Sequence, residues 1–377
     1  MAVNKVEING VVKLDLTADT VTAAKLAQGE TAHDASGELI IGTMTAPQLH
    51  IVVTTSAGAT VTATKGSKTV SGTADASGNC TLTVDEAGTW SVVATLGATT
   101  KQQDVVVGTS SVVIEFASAV LNDNAWETIR SVSDRGEGAN YWSIGDRKAV
   151  TLNGTVGKLS LSNVTTYAFI IGFNHNASVE GTNRIHFQLA KTALTGGMDV
   201  CLCDSSYNSK VSTTGYFSMN SSQTNAGGWE SSQMRTNICG TSLSSYSGTI
   251  IAVIPAALRA VLKSVTKYTD NIGGGSTAAS AVTATTDYFF LLSEYEVFGS
   301  ISDANSNESS KQAQYAYYSA GNSKIKYKHD GTSTVAYWWL RSTLAGYSTS
   351  FVFVDEDGAV YDSYAYFSLG FAPGFCV

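Results

Sequence analysis

The sequence predicts a mainly β protein with an α+β C-terminal domain, and three observations carry that expectation. Short runs of alternating apolar and polar residues recur across 49–116 at roughly 8–12 residue spacing, which is how half-buried strands are written. Glycine is abundant, 35 residues against 3 prolines, so the chain is rich in turns. Apolar residues at helical spacing occur in longer segments only beyond residue 117. The chain therefore divides into a small N-terminal β module at 1–45, a β-sandwich at 46–117 and a larger domain at 118–377.

In the first part, residues 3–16 read as a hairpin around Asn9-Gly10. Val21, Ala24 and Leu26 make one helical turn, and a strand at 38–43 follows the turn at Ser36-Gly37. In the second part, strands are expected at 49–54, 60–65, 68–73, 79–84, 88–96, 99–107 and 111–116, with Trp90 facing inward. In the third part, Trp126, Ile129 and Val132 share a helical face that Asp123 or Asn124 would cap and Gly136 would end. Residues 140–152 read as strand–turn–strand, and 167–173 and 184–189 as strands. Helices are expected at 227–238 and 254–268, the latter with Pro255 in its first turn and a Leu258, Val261, Leu262, Val265 stripe. Residues 288–298 read as a strand, 302–310 as an exposed polar segment, and Lys324, Lys326 and Lys328 as one exposed strand face. Asp357-Gly358 is a hairpin signal between strands at 351–354 and 359–361.

Composition narrows the function. Charged residues are 14% of the chain and the net charge is -8. No basic stretch is available to neutralise phosphates, so nucleic acid is not an expected partner. The apolar run at 250–258 falls far short of a membrane span, and the N-terminal residues lack the apolar core of a signal peptide. The five cysteines follow no disulfide framework. A zinc site from Cys201, Cys203, Cys239 and Cys376 would need an unusual C-x-C spacing, and reduced, buried thiols are the expectation. His175 and His186 have no metal-ligand spacing, and no metal or other cofactor is expected. No nucleophile elbow, phosphate loop or opposed carboxylates are evident, and Glu294 and Glu296 on one strand do not make a glycosidase. The chain is expected not to be an enzyme.

The stretch from Tyr337 to Val377 has the clearest functional signature. Its ends, Y-W-W-L-R-S and G-F-A-P-G-F-C-V, read as scaffold, with Trp338, Trp339, Arg341, Gly370 and Phe375 as structural residues. Between them lie Leu344, Tyr347, Ser348, Ser350, Phe351, Phe353, Tyr361, Asp362, Ser363, Tyr364, Tyr366, Phe367, Ser368 and Leu369. Tyrosine beside serine, glycine and aspartate is a paratope-like composition, in which rings supply contact area and small polar groups adapt. Asp355, Glu356 and Asp357 read as a solvated hairpin turn in preference to a calcium site.

Three resemblances follow from these residues. T-A-H-D-A-S-G with I-I-G-T-M, across 31–44, resembles segments of bacteriophage tail and fibre proteins. The 46–117 sandwich resembles the immunoglobulin-like (Ig-like) spacers of phage structural and surface proteins. L-N-D-N-A-W-E-T-I, N-Y-W-S-I-G-D, G-G-W-E-S-S-Q-M-R, L-L-S-E-Y-E-V-F-G, Y-W-W-L-R-S and G-F-A-P-G-F-C-V, in this order, resemble the C-type-lectin-like domains that end phage tail proteins and the variable proteins of diversity-generating retroelements. The resemblance implies a C-type-lectin fold displaying a variable region at about 343–369, made of the fourteen residues named above. It implies a host-recognition protein of the phage tail, made in the host cytoplasm. Its partners would be a bacterial cell-surface receptor, protein or glycan, and other tail proteins through the N-terminal module. A homo-oligomer, by analogy with fibres a trimer, is also implied. The alternatives are a bacterial surface protein of the same fold, a glycan-acting or sulfatase-modifying-like enzyme, and a purely structural fibre tip or capsid decoration.

Overall fold

The computed structural model describes residues 2–44, 48–97 and 99–377. The expected boundary between residues 45 and 46 lies outside the described residues. The fold is mainly β. The chain forms two compact units that divide between Phe116 and Ala117.

The first unit begins with two separate hairpins, Lys5–Ile8 with Val11–Asp15 and Thr31–His33 with Leu39–Ile41. Among residues 2–44 only Gly37 and Gly42 are buried. Val3, Ile8, Val11, Val12, Leu14, Leu39, Ile41 and Met44 are all exposed. Two-stranded sheets of this kind are marginal in water without a partner surface. The sandwich follows, with the sheet Thr99–Val107, Gly88–Leu96, Thr60–Lys65, Lys68–Thr73 and the sheet Val112–Glu115, Leu49–Thr54, Asn79–Val84, each in that order. Strand Asn79–Val84 alternates strictly between exposed and buried positions. Ile51, Val53, Val61, Leu82, Trp90 and Val92 meet in one core, and the Trp90 indole donates to the Glu86 carbonyl at 3.2 Å.

The second unit is built on a five-stranded sheet in the order Arg147–Val156, Leu159–Phe173, Ile185–Lys191, Gly374–Cys376, Phe289–Phe290. The C-terminal strand is thus an inner strand, which ties the last residues to the core. Phe375 there stacks on Phe187 at 5.3 Å and meets Phe289 at 5.2 Å. Helix Trp126–Asp134 buries Trp126, Ile129, Val132 and Ser133, the expected face. Neither Asp123 nor Asn124 caps it. The Asn124 side chain is instead bonded to Ser118, Val120 and Leu121.

Several elements differ from the sequence expectation. Residues 140–152 hold a helical turn, Gly138–Tyr141, before the strand. The helix expected over 227–238 breaks at the extended Ser232 into Gly228–Ser231 and a π-helical turn Met234–Cys239. The helix expected over 254–268 is short, Ala256–Val261, and Val265–Asp270 is a strand paired with Val282–Asp287. The strand expected over 288–298 keeps only Phe289–Phe290. Glu294–Phe298 is a helix opened by a capping box, in which Ser293 accepts from the Glu296 amide and Glu296 reaches back to the Ser293 amide. Residues 302–310 are not uniformly exposed, because Asn305 and Glu308 are buried partners of Asp270. Lys326 is buried among rings, unlike Lys324 and Lys328.

Candidate ligand-binding surface

The site is carried by a three-stranded sheet, Trp338–Thr343, Ser350–Val354 and Val360–Tyr364, in which the last strand is an edge. All six residues of the first strand are buried. The Trp338 indole donates to the Lys324 carbonyl at 2.9 Å and the Trp339 indole to the Phe217 carbonyl at 3.0 Å. Arg341 is fully buried. It donates to the Leu291 carbonyl at 2.8 Å, the Thr269 hydroxyl at 2.7 Å and Glu296 Oε1 at 2.9 Å. Burial would push the Glu296 carboxyl up, but Arg341 and then Lys267 overcome that and hold it well below the carboxylate range. A Cβ on Gly370 would collide with Cys201 Sγ and the Tyr337 carbonyl, so only glycine fits there. The scaffold residues read from the sequence are therefore the interior of this region.

The fourteen residues of the expected variable region fall into three groups. Tyr347, Ser348, Tyr361 and Tyr364 are exposed, the three tyrosines by 64%, 61% and 44%. Leu344, Asp362, Ser363, Tyr366 and Phe367 are partly exposed. Ser350, Phe351, Phe353, Ser368 and Leu369 are buried, which corrects their placement on the display face. The reason is that Ser350–Val354 is the central strand and is covered on both sides, so alternation there has no outward face. Ser368 is drawn inward because its hydroxyl donates to both oxygens of Asp204, at 2.9 and 2.8 Å.

Side chains distant in sequence fix the display loops. Buried Asn225 donates from Nδ2 to the Tyr347 and Ser350 carbonyls, both at 2.8 Å, and its amide donates to the Ser348 carbonyl at 2.9 Å. Its Oδ1 accepts from the Gly274 amide at 2.8 Å. The Tyr207 hydroxyl accepts from the Tyr337 amide at 2.8 Å. Ser209–Lys210 pair with Phe367–Ser368, and Lys210 Nζ lies 5.6 Å over the Tyr366 ring and 5.9 Å over Phe367. Tyr364 and Tyr366 stack at 6.0 Å. No local motif marks Asn225, Tyr207 or Lys210 as part of the site.

Beside the edge strand lies a cleft of about 290 Å³ lined by Asn208, Tyr337, Phe353, Asp355, Glu356, Tyr361, Asp362, Ser363 and Leu369. Phe353, opposite Tyr361 in the ladder, meets the Tyr361 ring at 5.9 Å and the Tyr337 ring at 5.4 Å. The Tyr337 hydroxyl donates to Glu356 Oε2 at 2.8 Å, and this bond to a carboxylate pushes the phenol up. Asp355 Oδ1 accepts from the Asp357 and Ala359 amides at 3.0 and 2.8 Å, closing the hairpin turn with Gly358 at φ +79. Two of the buried residues, Phe353 and Leu369, thus line this cleft without standing on the surface.

Residues 207–377 match a family described as a domain of unknown function, DUF6273. The match spans the whole display sheet and begins at Tyr207, the residue that holds Tyr337. No curated protein matches the chain.

Among the described residues, one group has the donor set of a metal site: His175, Glu180 and His186, all buried, with ligand atoms within 4.8 Å of one another. A lysine already supplies positive charge there. Lys267 Nζ donates to Glu180 at 2.8 Å, Glu296 at 2.9 Å and the Tyr315 hydroxyl at 2.8 Å. Both His175 nitrogens are engaged, with Glu180 at 3.1 Å and the Ala313 carbonyl at 2.9 Å. Burial, and next Lys267, push His186 well below its ordinary range. This arrangement is a buried, ion-paired cluster. All five cysteines are free and buried. Burial pushes the Cys376 thiol up to about 12 and Cys239 well above its ordinary value, which leaves them protonated and weakly reactive.

Proposed function

We propose that the chain is a phage tail-associated receptor-binding protein whose C-terminal domain, of C-type-lectin type, recognises a molecule on the bacterial surface without catalysis. The observation that carries this reading is the set of exposed rings, Tyr347, Tyr361 and Tyr364, presented by a sheet whose Trp338–Thr343 strand is fully buried. Exposed tyrosines bring large contact area at little entropic cost, and a few such anchors commonly dominate an interface. In this reading, retroelement variation would be confined to the exposed and partly exposed residues, because changes at Phe351, Ser368 or Leu369 would damage the core. The uncovered apolar hairpins of the first unit would attach the chain to other tail proteins or to copies of itself, placing it in the virion. Several copies would raise a weak single-site affinity by avidity.

The test is adsorption. A phage, or beads coated with the whole chain, carrying Tyr347→Ala, Tyr361→Ala and Tyr364→Ala together should lose binding to host cells while the protein keeps its melting temperature. Undiminished adsorption by the folded triple variant would refute the reading.

A further inference from the structure

We propose that the cleft beside the edge strand Val360–Tyr364 is a subsite for an organic cation, a guanidinium or ammonium group presented by the ligand. The inference rests on the reading of this surface as the binding face and adds the chemistry of what it takes.

Size comes first. At about 290 Å³ the cleft sits at the lower end of the range for ligand pockets, so it suits one side chain or head group. Its walls come next. Phe353, Tyr337 and Tyr361 meet edge-to-face at interplanar angles of 65° and 62°, so ring faces and edges turn in several directions around a small space. A cation within about 6 Å of such rings is attracted by their quadrupoles.

Charge decides the class. Asp355, Glu356 and Asp362 line the cleft, and no lysine, arginine or histidine does. Among the described residues none of these three carboxylates is in an ion pair. Glu356 is steered by the Tyr337 hydroxyl, and Asp355 spends Oδ1 on its own turn. Among the described residues the Asp362 carboxylate has no hydrogen-bond partner, although its backbone lies in the ladder opposite Val352. The cations near this face are engaged elsewhere, Lys210 over Tyr366 and Phe367, Lys324, which packs against the Gly358 turn, over Phe298, and Lys328 over Tyr207 and beside Asp330. The cleft around Arg130 shows the contrast, because its Asp134 is already paired with Arg130 and Lys263. Three uncompensated carboxylates around an aromatic floor repel an anionic ligand and favour a flat or compact cation.

The whole chain would be titrated, by calorimetry or NMR, with acetyl-Gly-Arg-Gly-amide and with the same peptide carrying citrulline, the neutral isostere of arginine. The arginine peptide should bind, weaken with added salt, and exceed the citrulline peptide by roughly tenfold or more in affinity. Asp362→Asn, which breaks no side-chain hydrogen bond or ion pair among the described residues, should remove most of that preference. Equal binding of the two peptides, no binding of either, or calcium alone occupying the cleft would each overturn the proposal. Tyr361→Ala adsorption separates the two claims. If adsorption is lost while the arginine peptide fails to bind, the cation subsite is wrong and the receptor-binding reading stands. If adsorption persists while the arginine peptide binds through Asp362, the receptor-binding reading is wrong and the subsite stands.

Discussion

Replacing Asn225 by alanine should loosen the tip of the display loop without unfolding the frame. The side chain is fully buried and makes three hydrogen bonds, to the Tyr347 carbonyl, the Ser350 carbonyl and the Gly274 amide. Alanine removes all three and leaves their partners short of a bond. At about 1 kcal/mol net for each, the loss is roughly 3 kcal/mol. For a unit the size of residues 117–377, each kcal/mol corresponds to about 2–4 °C, so melting should fall by roughly 6–12 °C. Calorimetry on the whole chain would measure that fall. Hydrogen exchange adds the location: amides around 346–350 and 273–276 should exchange faster, whereas those of Trp338–Leu340 should not change. A loss under about 1 kcal/mol, or faster exchange spread evenly over the frame strand, would refute the argument that this one side chain clamps the loop.

Two further perturbations act on the charged interior. Arg341→Ala leaves Glu296 with Lys267 as its remaining ion-pair partner in a buried site, and should cost about 3–5 kcal/mol, read from denaturant unfolding. Burial pushes the Glu308 carboxyl up to about 7 from an ordinary 4.5, so between those values the folded chain holds a proton that the unfolded chain has released. Stability should therefore fall as pH rises through that window, by about 3 kcal/mol for this group, and Glu308→Gln should flatten the slope of melting temperature against pH.

The sandwich was legible because each strand buries one face, so alternation and glycine turns mark it directly; the seven expected strands coincide with the observed ones to within a residue at each end. The second unit was less so. Its apolar stripe at Leu258, Val261 and Leu262 runs on to Val265, yet the chain leaves the helix after Val261 because Val265–Asp270 finds a partner strand. The S-E-Y-E capping box at Ser293 was present in the sequence and outweighs the β-like composition around it. Hydropathy places Lys267, Lys326, Glu308 and Arg341 outside, whereas pairing or ring contacts hold them inside. On the candidate surface, the exposure of Tyr347, Tyr361 and Tyr364 agrees with the expectation from composition. Phe351 and Phe353 were not, because facing the core on a central strand depends on neighbours that local sequence does not name. Asn225, Tyr207 and Lys210 lie more than a hundred residues before the loops they hold, and only the fold brings them there.

The division between a fixed interior and an interchangeable surface is tested most directly by comparing Tyr361→Ala with Phe351→Ala in one experiment, measuring unfolding free energy and host-cell binding for each. Tyr361→Ala should change stability by no more than about 0.5 kcal/mol and abolish or sharply weaken binding. Phe351→Ala should cost about 3–5 kcal/mol, with binding retained by whatever fraction remains folded. The opposite pattern, a destabilising Tyr361→Ala that still binds and a neutral Phe351→Ala, would contradict the account.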